Sequence, residues 1–354
     1  MGNKKVALGL SGGVDSAVAA YLLKQKGYIV TAVFMKNWTG SDRFPCGWEK
    51  DREDAIKVAA TLGIEFETWD FEREYRERVV EYFFSEYKAG RTPNPDVMCN
   101  REIKFGLFFQ RAIEQSYDYV ATGHYARVVH GKRCKLLKGV DPAKDQSYFL
   151  SGLTSEKLEK IIMPIGEYRK SEIRKIAEKI GLPNSKKPDS QGICFIGKVD
   201  IKDFLSSRIA FHKGEVVDGE SNIVGVHDGV EFYTLGQRHG LSIPSRLPYY
   251  VTGKDIDKNI VFVSLGNESQ DLYSESAGCG EIVWVDKTDR SIFKGQAVIR
   301  YHHKPVDVLL ERVADGKSKY RIQFMEKQRA VTIGQAIVFY DGEELVGGGF
   351  IESV

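Results

Sequence analysis

The 354-residue sequence contains no apolar run near the roughly 18 residues of a membrane-spanning helix, so no membrane role is expected. Its five cysteines form no CxxC pair and no Cys/His cluster at zinc spacing, which argues against a disulfide framework and a structural metal. From Met1-Gly2-Asn3-Lys4-Lys5 the chain passes straight into the apolar run Val6-Ala7-Leu8-Gly9-Leu10, leaving no room for a signal peptide. Val6 also stands where a myristoylation motif needs serine or threonine, so a cytoplasmic location is expected. With 51 basic and 49 acidic residues, the net charge of +2 supplies no global pull toward nucleic acid. Neither the phosphate loop GxxxxGK[ST] nor the dinucleotide fingerprint GxGxxG occurs at the first strand.

What stands there instead is Ser11-Gly12-Gly13-Val14-Asp15-Ser16, between that apolar run and the helical pattern Ala17-Val18-Ala19-Ala20-Tyr21-Leu22-Leu23. Paired glycines let successive backbone N–H groups turn inward, and the helix that follows adds its positive dipole end. An anion such as pyrophosphate fits this cradle. Strand and helix patterns alternate to about residue 130, predicting an α/β fold with a doubly wound parallel sheet. After about residue 208 short alternating runs with glycine turns take over, such as Ile260-Val261-Phe262-Val263 and Ala336-Ile337-Val338-Phe339-Tyr340. They predict two small β-rich modules, the last a β-barrel. The expected divisions are 1–208, 209–275 and 276–354.

Two cysteines have surroundings that suggest chemistry. Cys99 ends Thr92-Pro93-Asn94-Pro95-Asp96-Val97-Met98-Cys99, read as a proline-stiffened polar loop with Asp96 placed to exchange a proton. Cys194 lies in Pro188-Asp189-Ser190-Gln191-Gly192-Ile193-Cys194, a glycine-bracketed loop behind Lys186 and Lys187. Cys46, Cys134 and Cys279 read as structural. Basic residues cluster at Lys132, Arg133, Lys135 and Lys138, along Arg169, Lys170, Arg174 and Lys175, and in Arg300-Tyr301-His302-His303-Lys304, where phosphate contacts would give salt-dependent RNA affinity. His124, at the end of a strand, reads as a positioning residue beside a nucleotide.

The SGGxDS pattern resembles the PP-loop (N-type) ATP pyrophosphatases, which cleave ATP between its α and β phosphates. Beyond that loop the chain resembles the tRNA-specific 2-thiouridylases of bacterial and organellar type over almost its whole length. The matching stretches include Phe34-Met35-Lys36-Asn37-Trp38, Thr92 to Gly106, Thr122-Gly123-His124-Tyr125, Lys144-Asp145-Gln146, the Cys194 loop, Tyr233-Thr234-Leu235-Gly236-Gln237-Arg238 and Gly334-Gln335-Ala336. The resemblance implies ATP-dependent exchange of the C2 oxygen of wobble uridine 34 for sulfur. ATP would be held by Gly9, Leu10, Ser11, Gly12, Gly13, Val14, Asp15, Ser16, Met35 and Gly123. Cys194 would carry a persulfide, Cys99 would be the nucleophile that forms a transient Cys99–Cys194 disulfide, and Asn94, Pro95 and Asp96 would meet the target base. Lys144, Asp145, Gln146, Arg300 and Tyr301 would contact tRNA. The partners implied are tRNAs of the Lys, Glu and Gln type and a sulfur donor, either a cysteine desulfurase or a relay protein. Mg²⁺ with ATP is expected, no flavin, zinc or iron–sulfur cluster, and a monomer.

The chain departs from the family pattern at Pro188, where a lysine is commoner, and at Ile333, where a proline is. A metabolite ligase that delivers ammonia or an amine, and a non-catalytic RNA-binding protein, are the competing readings. The paired Cys99 and Cys194 weigh against the first, and an intact Asp15, Ser16 and Asp96 against the second.

Overall fold

In the computed structural model, which describes every residue except 1–2, 41–42, 45, 190–191, 193–195, 197–199, 242, 267 and 314–317, the expected parallel sheet is present. Its strands are β1 (Lys5–Gly9), β2 (Ile29–Lys36), β3 (Glu65–Asp70) and β4 (Tyr119–Ala121). A hairpin of β5 (Ala126–Val129) and β6 (Lys135–Lys138) follows before β7 (Ile161–Ile162) completes the sheet. The order is β3-β2-β1-β4-β7, with every neighbouring pair parallel. Val6, Ala7 and Leu8 of β1 are fully buried, as a central strand covered on both faces requires.

Two cores cover those faces. On one, α1 (Val14–Gln25) and α2 (Trp48–Leu62) bury Ala17, Val18, Ala20, Leu23, Ala55 and Val58 against Leu8 and Ala32. The small alanines let α1 approach the strands closely. On the other, helical stretches 72–88 and 95–114 pack aromatics, among them Trp69, Tyr75, Phe83 and Phe108. Each stretch contains a π-turn segment, Arg76–Val80 and Asn100–Leu107. The chain winds outward from β1 to β3 and returns at β4, so the order reverses beside β1. Ligands of open α/β sheets bind at that kind of switch point, beyond the carboxyl ends of the strands.

Strands Gly214–Val217, Ile223–His227, Tyr249–Asp255 and Ile260–Leu265 form a separate four-stranded sheet around Val216, Val251, Val261 and Val263. Six of the last seven strands, from Tyr273–Cys279 to Glu344–Ser353 and leaving out the short Val283–Trp284, close into a barrel because the first and last pair at Gly278↔Ser353 and Cys279↔Ile351. The barrel begins at Tyr273, just before the expected division at 275. Helix Ile201–Ser206 packs Phe204 on Phe84, with ring centroids 5.2 Å apart, which ties it to the aromatic core of the parallel sheet.

One element behaves differently from its sequence. The β5–β6 hairpin leaves the parallel sheet and pairs with the barrel through Leu136↔Leu345 and Leu137↔Glu344. Its cations are used there: Arg133 bridges Asp286 at 3.0 Å and also meets Glu344, while Lys135 lies 2.7 Å from Glu344. Lys138 sits 4.3 Å over the Tyr340 ring. These three basic residues, expected to attract RNA, instead join the hairpin to the barrel.

Candidate active site

A cavity of about 700 Å³ opens at the carboxyl ends of β1, β2 and β4, within the size range of small-molecule sites. Its first wall is the glycine loop. Gly13 caps α1 without a side-chain acceptor, so the first N–H groups of the helix are not taken up by a capping side chain. Ser11 N–H donates to Ser16 Oγ at 3.2 Å, Ser16 Oγ donates to Gly13 O at 3.2 Å, and Asn184 Nδ2 donates to Gly12 O at 3.0 Å. Gly12 adopts φ +74°, and a Cβ there would lie 2.3 Å from Asp51 O. A Cβ on Gly123 would lie 2.7 Å from Ser16 N, and one on Gly9 would lie 3.0 Å from Met35 Cε. Only glycine permits this close stacking of backbone around α1.

Asp15 is held firmly. Lys170 Nζ lies 2.7 and 2.9 Å from its two carboxylate oxygens, and Tyr125 donates its hydroxyl at 2.7 Å. Burial, reinforced by the Asp15 charge, raises the Tyr125 pKa far above its usual value, so this hydroxyl remains a donor. Lys170 also reaches Asp189 at 2.7 Å, beside Lys144 at 2.8 Å and Arg174 at 2.7 Å. Burial alone would raise the Asp189 pKa, but hydrogen bonds from Lys144 and Lys170 outweigh it and hold the carboxyl well below the usual range. Thus Lys170 and Arg174 of the basic helix turn inward to brace the loop.

The second wall is helical stretch 95–114. Asn94 caps it, its Oδ1 accepting from Val97 N at 3.2 Å, with Pro95 in the first turn. The segment read as a polar loop is therefore a helix, because an Asn-Pro start nucleates one. Asp96, Asn100 and Lys104, four residues apart, line the cavity. Asn100 Nδ2 donates to Asp96 O at 3.0 Å, while its Oδ1 is buried with no hydrogen-bond partner among the described residues. Cys99 points the other way: it is 0% exposed and packs in the aromatic core. His124 lines the cavity with Nδ1 2.7 Å from Thr122 Oγ1. Burial first, then the Lys104 charge, keeps the pKa of this imidazole well below its usual value.

The remaining walls come from distant segments. After β2, Asn37 is 1% exposed with neither amide atom partnered among the described residues, beside Trp38, Cys46 and Trp48. From the barrel, Tyr301 and His302 reach the cavity, Tyr301 packing on Phe149 at 4.4 Å. Arg300 turns aside to Ala330 O and Thr332 Oγ1, both at 3.4 Å. Gln335 Nε2 donates to Thr92 O at 2.9 Å and Pro93 O at 3.2 Å, and Thr92 N–H donates to Ile333 O at 3.0 Å, so the barrel holds the segment entering the second wall. The unusual Ile333 still supplies that carbonyl.

The cavity gathers Gly9, Leu10, Ser11, Gly13, Val14, Asp15, Ser16, Met35, Asp96, Gly123, Lys144, Gln146 and Tyr301 from the residues expected at the site. Gly12, Asn94, Pro95, Cys99, Asp145 and Arg300 are not in its lining. Asp145 is occupied inside the fold, accepting from Gly139 N at 2.9 Å and from the Ser147 backbone at 3.1 Å and hydroxyl at 2.9 Å. Gln146 Oε1 accepts from Tyr125 N at 3.0 Å. Cys194 and its pairing with Cys99 lie outside the described residues. Sequence reasoning gave no role to Asn37, Asn100 or Lys104, and it set Cys46 aside as structural. For Asn100 and Lys104 the four-residue spacing from Asp96 was the available signal. Among the described residues no cluster of three or more His, Cys, Asp or Glu could hold a metal ion. No helix among them is long and apolar enough to cross a membrane.

Residues 4–198 match the family described as tRNA methyl transferase HUP domain, residues 202–265 its PRC-barrel domain, and residues 276–351 an aminomethyltransferase beta-barrel domain. The chain is 46% identical over 354 residues to the tRNA-specific 2-thiouridylase MnmA of Geobacillus thermodenitrificans, covering 99% of this chain and 95% of that protein. It is 47% identical over 355 residues to the MnmA of Lysinibacillus sphaericus, covering 99% and 94%. With the Bacillus subtilis MnmA it shares 46% over 358 residues, covering 99% and 95%.

Proposed function

Because the chain belongs to the family of tRNA-specific 2-thiouridylases, we propose that its cavity thiolates uridine 34 of tRNA through an adenylated intermediate. The observation that carries this reading is the meeting, in one cavity, of the glycine loop at α1 and the Asp96 face of the second wall. The loop and α1 would bind the phosphates of ATP, with Mg²⁺ accompanying the nucleotide and offsetting its charge. Met35 and Gly123 border the nucleotide, and Lys170 holds Asp15 in place.

Uracil O2 is a poor leaving group. Its attack on the α phosphate of ATP expels pyrophosphate and leaves O2 bonded to AMP. The terminal sulfur of a Cys194 persulfide then attacks C2 and AMP departs with the oxygen. Cys99 thiolate attacks Cys194 Sγ, forming the Cys99–Cys194 disulfide and breaking the bond from Sγ to the outer sulfur, which leaves bonded to C2 as 2-thiouridine. The two cysteines lose two electrons and the sulfane sulfur gains them, so a thiol reductant must reset the pair. Since Cys99 is buried, this step requires the second wall to open.

The family label of methyl transfer competes with this reading, and the near full-length relatives named as thiouridylases favour sulfur. A tRNA of the Lys, Glu or Gln type, a desulfurase or relay protein as donor, a cytoplasmic monomer and units of 1–208, 209–275 and 276–354 complete the proposal. The test is nucleoside mass spectrometry of uridine-34 tRNA incubated with the protein, ATP, Mg²⁺, a cysteine desulfurase with cysteine as the persulfide donor, and a thiol reductant. Equal amounts of 2-thiouridine and AMP support the reading. AMP without thiouridine points to a ligase, and methylated uridine points to the competing label.

A further inference from the structure

We propose that Asn100 is the residue that selects uracil over cytosine, an inference that rests on the target base entering this cavity. A backbone carbonyl can only accept, so the 3.0 Å contact with Asp96 O identifies the donor as Nδ2 and fixes the orientation of the amide. The Oδ1 atom is thereby an acceptor, and it has no partner among the described residues. Asn100 is 4% exposed and lines the cavity between Asp96 and Lys104. A buried acceptor left without a hydrogen bond is costly, so this wall is paired best when a ligand supplies a donor.

Uracil carries N3–H, its one donor on the pairing edge, whereas cytosine has a lone pair at N3. Facing Oδ1, uracil gains a hydrogen bond in a site of low dielectric. Cytosine sets two acceptors against each other. The same contact draws electron density from N3–H toward O2, the oxygen to be adenylated. A second feature suits this role: the Asn100–Leu107 π-turn segment begins at this residue, a distortion common at functional sites.

The test is competitive binding of otherwise identical U34 and C34 tRNAs to the full-length protein at one salt concentration, with a non-hydrolysable ATP analogue present. The wild-type protein should prefer U34 by at least about tenfold, equivalent to about 1.4 kcal/mol. Asn100→Ala should bring the ratio within about twofold of unity while its affinity for the ATP analogue changes by less than about twofold. Asn100→Ser keeps a hydroxyl to donate to Asp96 O but withdraws the outward acceptor, and it should lose the preference equally. No preference in the wild type, or an undiminished preference in both variants, overturns the proposal. Failure of the wild type to make 2-thiouridine overturns the underlying reading instead, so the two failures are distinguishable.

Discussion

The two principal walls of the cavity are built on opposite plans. In the glycine-loop wall the polar groups of the loop itself are satisfied from within the chain: Asp15 by Lys170 and Tyr125, Ser16 by Ser11, and the Gly12 backbone carbonyl by Asn184, whose own Oδ1 is buried behind the loop without a partner among the described residues. The helical wall keeps a buried Asn100 acceptor, unpartnered among the described residues, on a residue that lines the cavity, and it also buries Cys99. A site that meets the same phosphates at every turnover gains from donors fixed in advance. One that must admit a base and then expose a thiol cannot be equally rigid.

The contrast breaks most severely at Gly123. Gly123→Val would press side-chain carbon onto the Ser16 backbone, where even a Cβ lies 2.7 Å from N. ATP-analogue affinity should fall by about a hundredfold, near the upper end of overpacking costs. Calorimetric titration reads this directly, and unchanged affinity would mean the loop yields readily. Thiol alkylation sharpens the other side. Half-buried Cys46 should react at least about tenfold faster with iodoacetamide than fully buried Cys99, as followed by peptide mass spectrometry. Adding tRNA with an ATP analogue should accelerate Cys99; equal rates in the resting protein would remove the need for the wall to open.

Acid offers a subtler test. Burial lowers the pKa of His124, His227 and His303 below the ordinary 6.5, so the unfolded chain binds more protons once pH falls toward that value. Stability is therefore full above about pH 6.5 and declines below it, by at most about 1.4 kcal/mol per pH unit for each histidine. His124→Gln should flatten this slope in urea titrations at pH 5 to 7. A slope unaltered by the substitution would contradict its buried, neutral state. The smallest effect lies outside both walls. Glu344→Gln weakens the partly exposed pairs with Arg133 and Lys135 and should cost about 0.5–1 kcal/mol, or about one degree in Tm. Affinity for tRNA should stay unchanged; a large loss would return this hairpin to an RNA-binding role.

The glycine-loop wall was legible in the sequence because its chemistry is local. Two glycines between an apolar strand and an alanine-rich helix specify a cradle wherever the rest of the chain lies. The parallel sheet and the β-rich second half were legible from periodicity for the same reason. Contacts between distant segments were not. Nothing near Lys135 signals that Glu344, more than two hundred residues later, will neutralise it. Charge clusters consequently read as RNA surfaces when Lys170, Arg174 and Arg133 in fact face carboxylates. Prolines around Asn94 suggested a loop, although Asn-Pro also begins a helix, and that difference decides which way Cys99 points. Tyr301 reaches the cavity only because the barrel folds back over the first unit, a placement that no spacing encodes.

The most direct test of the account traces oxygen. A tRNA bearing ¹⁸O at O2 of uridine 34, incubated with the protein, unlabelled ATP, Mg²⁺, a cysteine desulfurase with cysteine and a thiol reductant, should yield AMP that carries one ¹⁸O for each 2-thiouridine formed. Thiouridine accompanied by unlabelled AMP would contradict adenylation of the base in this cavity.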